Sequence, residues 1–311
     1  MLNNSKKILV VGMPDMVHIV LMRLKNAGFN IIGLVPPSRH NPSFGNAIAC
    51  ANQLGIPVYP YEESINNIEF IKKIAELEAD IGLICSYDTK LSRDFLKTTA
   101  NGYINCHPSL LPNYRGANPY YHIIKNGENM TGVTLHFADE HFDTGDIIMQ
   151  KSLPLEKGET MGTLFNRTNY MIADCLVDVL KNFEINGYIK AKSQEWGEYP
   201  KAPRVPNNIF IDFSEDIETI ERQIRAANPF FNIVAFYRGI MIRIITADAR
   251  VEEHDFIPGE ITKTLGEVEI AFKNGFLLPK IIQVGTWGIF DIKDFIEKFS
   301  PRIGERINGN G

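Results

Sequence analysis

Cysteine is scarce: four residues in 311, at positions 50, 85, 106 and 175. None forms a CxxC pair, and none stands with a histidine at metal-ligand spacing, so neither a disulfide framework nor a metal site is expected. Each lies in an apolar stretch, where a thiol acts as a small hydrophobe. This usage fits a reducing, cytoplasmic compartment. Long apolar runs are missing too; none approaches the ~18 to 20 residues that a membrane span needs. The polar residues 1–7 lead directly into a strand-like run, unlike a signal peptide. Positive charge is not in excess, with 32 Lys+Arg against 37 Asp+Glu and a net charge of −5. That argues against nucleic acid as the main partner, although a local basic patch stays compatible. Nucleotide signatures are wanting as well. Gly12-Met13-Pro14-Asp15 is no GxGxxG, and the chain has neither GxxxxGK[ST] nor GxSxG. A dinucleotide turn, a P-loop and a nucleophile elbow are excluded as sequence readings.

What is present is a two-part pattern, as the length suggests. Short apolar runs at 7–11 (KILVV), 30–35 (NIIGLV), 57–59, 81–85 (IGLIC) and 103–106 (YINC) read as strands. Helical spacing fills 15–27, 46–54, 68–77 and 92–98 between them. Strands spaced by such helices predict βαβ units, hence a Rossmann-like, mostly parallel sheet with helices on both faces. Residues 131–138 and 146–151 read as two more strands, and 160–183 as one long helix. Periodicity then vanishes over 190–208, which carries Trp196, Gly197, Pro200, Pro203 and Pro206 and reads as a linker. Beyond it, one helix at 217–226 and short alternating runs at 234–237, 240–247, 259–264, 267–272 and 275–284 predict a small β-barrel-like domain of OB type. The expected division is 1–189, 190–208 and 209–311.

The chemistry concentrates in two loops. Residues 102–121 read GYINCHPSLLPNYRGANPYY. Asn105 and His107 are two apart at a strand end, so both side chains leave one face. That end is the carboxyl edge of a parallel strand, where open α/β sheets carry their sites. About 35 residues later comes DEHFDTGD, which includes Asp143. An acid there can orient an imidazole, while an Asn amide and a histidine can steady an oxyanion. No Ser or Cys nucleophile is paired with the histidine, so direct attack of a substrate nucleophile on a bound carbonyl is expected. His136, alternating with apolar residues on a strand, and His254, in an acidic loop, read as structural or solvated.

The joint pattern N-x-H-P-S-L-L-P-x-Y-R-G followed by D-T-G-D resembles the folate-dependent formyltransferases. The resemblance covers 7 to about 183. It implies an N-formyltransferase using 10-formyltetrahydrofolate and no metal, with Asn105, His107 and Asp143 as the catalytic groups. It further implies a pterin slot along 84–91 and 138–143, with Ile84, Tyr87, Leu91, Ala138, Asp139 and His141 binding the cofactor. Ser109, Leu110, Leu111 and Pro112 fall on the family's loop motif, on the substrate side. Residues 210–229 and 277–295 resemble the C-terminal domain of methionyl-tRNA formyltransferases. The same layout occurs in sugar-nucleotide N-formyltransferases.

Two features weigh against tRNA as acceptor. The stretch 36–45 (PPSRHNPSFG) is short and holds one cation, Arg39, where the tRNA enzymes carry a long basic loop. From Pro206 onward, 12 Lys+Arg face 16 Asp+Glu. A small phosphorylated amine needs only one or two Arg and a few aromatics. Tyr114, Arg115, Tyr120 and Tyr121 are available, with core packing as the other reading of the tyrosine pair. The expected partner is therefore a small nucleotide-linked amine. Methionyl-tRNA, a carrier-bound amine, a formate-releasing hydrolase and an inactive folate-binding module stay open, as does a homodimer.

Overall fold

The computed structural model describes residues 5–87, 89–195 and 197–309. Met1–Asn4, Asp88 of the expected pterin stretch and Trp196 of the expected linker lie outside them. Among the described residues no helix is long and apolar enough to cross a membrane.

The chain forms two compact units. The first holds Met1–Pro119, Met130–Pro154 and Phe165–Pro203; the second holds Tyr120–Asn129, Leu155–Leu164 and Arg204–Gly311. The first is built on β1 (Lys7–Gly12), α1 (Pro14–Asn26), β2 (Asn30–Val35), α2 (Phe44–Gln53), α3 (Ile68–Ala75), β3 (Ile81–Cys85), α4 (Arg93–Leu96) and β4 (Tyr103–His107). After α5 (Pro119–Lys125) come β5 (Met130–Phe137), β6 (Ile147–Pro154) and the long α6 (Met161–Asn186). The sheet order is β2-β1-β3-β4-β5-β6. The first four strands are parallel, and β5 and β6 run antiparallel beside them. The expected strand at 57–59 is reduced to a single bridge between Leu34 and Val58.

Alternation along the strands divides the core. Ile8, Val10, Ile104 and Cys106 face α1, α2 and α6 on one side. Leu9, Val11 and Tyr103 face Phe70 and Ile74 of α3 and Phe95 of α4 on the other. Helices therefore cover both faces, and Tyr103, Asn105 and His107, at period two, share the α3/α4 side. All four cysteines are free and buried within the opposite cluster. Burial pushes the Cys50 and Cys175 thiols up, so they stay protonated and inert.

The second unit contains β7 (Asn208–Phe210), α7 (Ile217–Ala227), β8 (Asn232–Tyr237), β9 (Ile240–Val251), β10 (Ile261–Lys263), β11 (Glu269–Phe272), β12 (Gly275–Val284), β13 (Gly288–Asp291), α8 (Ile292–Phe299) and β14 (Ile307–Asn308). Its strand path is β10-β11-β12-β9-β8-β14. The two ends of that path meet: Ile261 N–H donates to Glu305 O at 2.8 Å, and Ile307 N–H donates to Gly259 O at 2.8 Å. These bonds close the sheet into a barrel and leave no open edge at that seam. Tyr120 and Tyr121 of α5 are buried in this unit. Gln223 Nε2 donates to the Tyr121 hydroxyl at 3.0 Å, and the Tyr121 ring meets Phe231 edge-on at 5.9 Å. Core packing is thus the reading that holds for Tyr121.

Candidate active site

The carboxyl end of β4 carries Asn105 and His107, and the antiparallel pairing of β5 sets His136 opposite Asn105 and Thr134 opposite His107. All four side chains therefore lie on one face of the sheet. Asp143 arrives from the loop between β5 and β6. Its backbone is left-handed, with φ 58, a strained conformation for a residue with a side chain. That geometry turns the carboxylate inward: Oδ1 lies 3.4 Å from His107 Nδ1 and accepts from Asn105 Nδ2 at 3.2 Å. Oδ2 accepts from the Gly116 N–H at 2.9 Å. The three groups expected to converge do so, and both His107 and Asp143 are buried.

Burial works to raise the Asp143 carboxyl. The charge of His107, its hydrogen bond to the carboxylate and the Gly116 N–H outweigh it and hold the group well below the usual carboxylate range. Asp143 is ionised at neutral pH. His107 Nε2 donates to Tyr114 O at 2.9 Å. His136 Nδ1 donates to Phe137 O at 2.8 Å, which leaves its Nε2 as acceptor for Asn105 Nδ2 at 3.0 Å. Both Asn105 amide hydrogens therefore point at neighbours, Asp143 and His136. An oxyanion that forms here must draw a hydrogen away from one of them.

The Ser109–Pro112 loop is locked from beneath. Thr134 Oγ1 donates to Ser109 O at 2.6 Å and accepts from Leu111 N–H at 3.1 Å. Gln150 Nε2 donates to Leu111 O at 2.8 Å, and Ser109 Oγ donates to Asn113 O at 2.6 Å. Ser109 is fully buried and Leu111 nearly so, so both support the loop from inside, whereas Leu110 and Pro112 are half-buried. The remaining acceptor-side expectations change character. Tyr114 is buried, and the part of it that meets the site is its carbonyl. The Arg115 guanidinium is turned onto Gln194 Oε1. Tyr120 is a buried residue of the second unit.

On the expected cofactor side, Ile84 and Leu91 are buried in one apolar cluster, with Tyr87 and Ala138 packed against it. Tyr87 also shares a 2.7 Å hydroxyl hydrogen bond with Tyr61. Asp139 and His141 are exposed; Asp139 accepts from the His141 N–H at 2.9 Å and from Thr144 Oγ1 at 2.8 Å, which shapes the loop.

Two residues at the site escaped the sequence reading. His136, which the sequence alone reads as structural or solvated, faces Asn105 across the strand pair; its signal is the period-two match of 134 and 136 to 105 and 107 across neighbouring strands. Gln194 sits in the stretch read as a linker. It is buried, with Nε2 donating to Asp143 O at 2.9 Å and Gly145 O at 2.8 Å. No local pattern marks it. Among the described residues no group of His, Cys, Asp and Glu could hold a metal ion.

Comparison with known proteins gives the family. The formyl transferase family model covers residues 6–180, and the formyl transferase C-terminal domain covers 205–300. The chain belongs to the formyl transferase family and is an enzyme that transfers formyl groups. It is similar to the methionyl-tRNA formyltransferase of Ruminiclostridium cellulolyticum, 29% identical over 97% of this chain and 99% of the other. It is also similar to that of Pseudothermotoga lettingae, 33% identical over 82% and 83%. Among solved structures, the N-formyltransferase of Helicobacter canadensis in complex with folinic acid and dTDP-3-aminofucose shares the fold. Its TM-score is 0.68 at 20% identity, covering 88% of this chain and 99% of that one. HypX of Aquifex aeolicus in complex with tetrahydrofolic acid has a TM-score of 0.64 at 17% identity, covering 97% of this chain and 49% of the other.

Proposed function

We propose that the protein moves a formyl group from 10-formyltetrahydrofolate to the primary amine of a small, nucleotide-linked acceptor such as a 4-amino sugar nucleotide. The observation that carries the chemistry is Asp143 Oδ1 held between Asn105 Nδ2 and His107 Nδ1 at the carboxyl end of β4. Attack of a neutral amine on the formyl carbon puts negative charge on the formyl oxygen. Asn105 and His107 steady that charge by redirecting N–H groups now spent on their neighbours. Asp143 stays ionised and compensates the charge of a protonated His107. That imidazolium gives its proton to the departing folate nitrogen and, once neutral, takes up the proton that the amine loses.

The residues present fit the donor. Ile84, Leu91, Tyr87 and Ala138 share an apolar cluster that suits the face of a flat ring. Asp139 and His141, near Asp143 in the chain, are exposed to solvent.

For the acceptor, the supporting observation is charge. The single cation of the 36–45 stretch, Arg39, is paired with Glu62 at 2.9 Å. In the second unit Arg225, Arg238, Arg250, Lys263, Lys273 and Lys280 all pair with carboxylates. Cations already matched by acids contribute little to neutralising many phosphates. A second reading, methionyl-tRNA, is favoured by the near full-length likeness to enzymes of that name.

The test offers the protein 10-formyltetrahydrofolate with a nucleotide-linked amino sugar or with charged initiator tRNA. Formylation of the sugar nucleotide alone is expected. Formylation of the tRNA alone would overturn the acceptor and keep the chemistry. Formate release independent of any amine would overturn both.

A further inference from the structure

We infer that Gln194 is a positioning residue for the reaction, one that holds Asp143 at the angle its carboxylate needs. The inference rests on the reading that Asp143 works with Asn105 and His107. A primary amide has two N–H donors and one oxygen with two lone pairs. In Gln194 all of them are used, in a buried place: Nε2 donates to Asp143 O at 2.9 Å and Gly145 O at 2.8 Å. Oε1 accepts from Arg115 Nε at 3.2 Å and Nη2 at 2.5 Å. Turning the amide over would set its oxygen against two carbonyls and its NH2 against a cation, so one orientation is selected.

What the amide grips matters. Asp143 is left-handed and does not hold that backbone by its own preference. The segment around Gln194 is pinned on both sides. Lys192 and Ile147 exchange hydrogen bonds of 2.7 and 2.8 Å. Tyr114 N–H donates to Pro200 O at 2.6 Å, and Ala202 N–H donates to Arg115 O at 2.8 Å. One face of the segment thus holds the loop that carries Asp143. The other holds the 114–116 turn, whose Tyr114 carbonyl and Gly116 N–H contact His107 and Asp143. Gln194 and Arg115 join the two loops, and a shift of either would move the carboxylate relative to the imidazole.

Gln194→Glu tests this, because it keeps the shape and the Arg115 contact while replacing two donors with an acceptor. We expect kcat to fall about 10- to 100-fold, since a misplacement near 1 Å costs that much. KM for both substrates should stay within about twofold, because neither is touched. In an Asp143→Asn background the substitution should cost almost nothing more, and amide exchange at 143–147 should quicken. A kcat within about twofold of wild type, or losses that multiply independently in the double variant, would overturn the inference. If Gln194→Glu does not fold, Arg115→Met, which frees Oε1, is read by the same measures. If the wild type turns over no amine, the reading of the site fails by itself. Unchanged exchange at 143–147 in the variant would then still refute the clip.

Discussion

Asn105 Nδ2 stands 3.0 Å from His136 Nε2, the two residues facing each other across β4 and β5. The Nδ1 hydrogen of His136 is committed to Phe137 O, so its Nε2 can only accept. His136 therefore fixes which way the Asn105 amide points. His136→Leu removes that acceptor, and kcat is expected to fall at least about tenfold. Steady-state kinetics with saturating donor and acceptor check it.

Asp143 gives the stability a pH dependence of known sign. Its folded-state value is depressed, so its contribution is complete above the ordinary Asp value of about 3.9 and is lost as pH falls below it. Wild type should therefore lose more stability between about pH 7 and about pH 3 than Asp143→Asn does. Urea denaturation of both proteins at the two pH values measures the difference; equal losses would contradict the assignment.

Thr134 is fully buried and serves Ser109 O, Leu111 N–H and Gln150 Nε2 with one hydroxyl. Thr134→Val keeps the volume and strands those partners. A cost of about 1 to 3 kcal/mol is expected by chemical denaturation, with a larger proportional loss of activity, since the loop borders His107.

The fold was largely legible because its strands and most of its helices carry a local period. The helices that escaped are short. α5 is seven residues between prolines and turns, and α8, although Ile292, Phe295, Ile296 and Phe299 recur at helical spacing, is only eight residues long and follows β13 directly. Asn105, His107 and Asp143 were legible as a motif. His136 and Gln194 were not, because their partners are non-local. The 190–208 stretch is irregular, as read. Lys192, Gln194, Pro200 and Ala202 within it are nonetheless held by hydrogen bonds to residues far earlier in the chain, such as Gln194 to Asp143. Arg115 read as an anion contact because a lone arginine in a loop carries no sign of its partner.

Gly145 admits no side chain, since an added Cβ would fall 1.8 Å from Phe137 O. Gly145→Ala must displace the loop that carries Asp143. It is expected to abolish most turnover while leaving the barrel of the second unit intact. Amide exchange should quicken at 139–147 and stay unchanged in β8, β9 and β12.

The central claim is that Asn105, His107 and Asp143 together steady charge on a formyl group in transfer to nitrogen. Its most direct measurement is the formylation rate of Asn105→Ala beside wild type, with donor and acceptor saturating. A fall of about 10²- to 10³-fold, with both substrates still bound, is predicted from loss of one oxyanion donor. A rate within about twofold of wild type would contradict it.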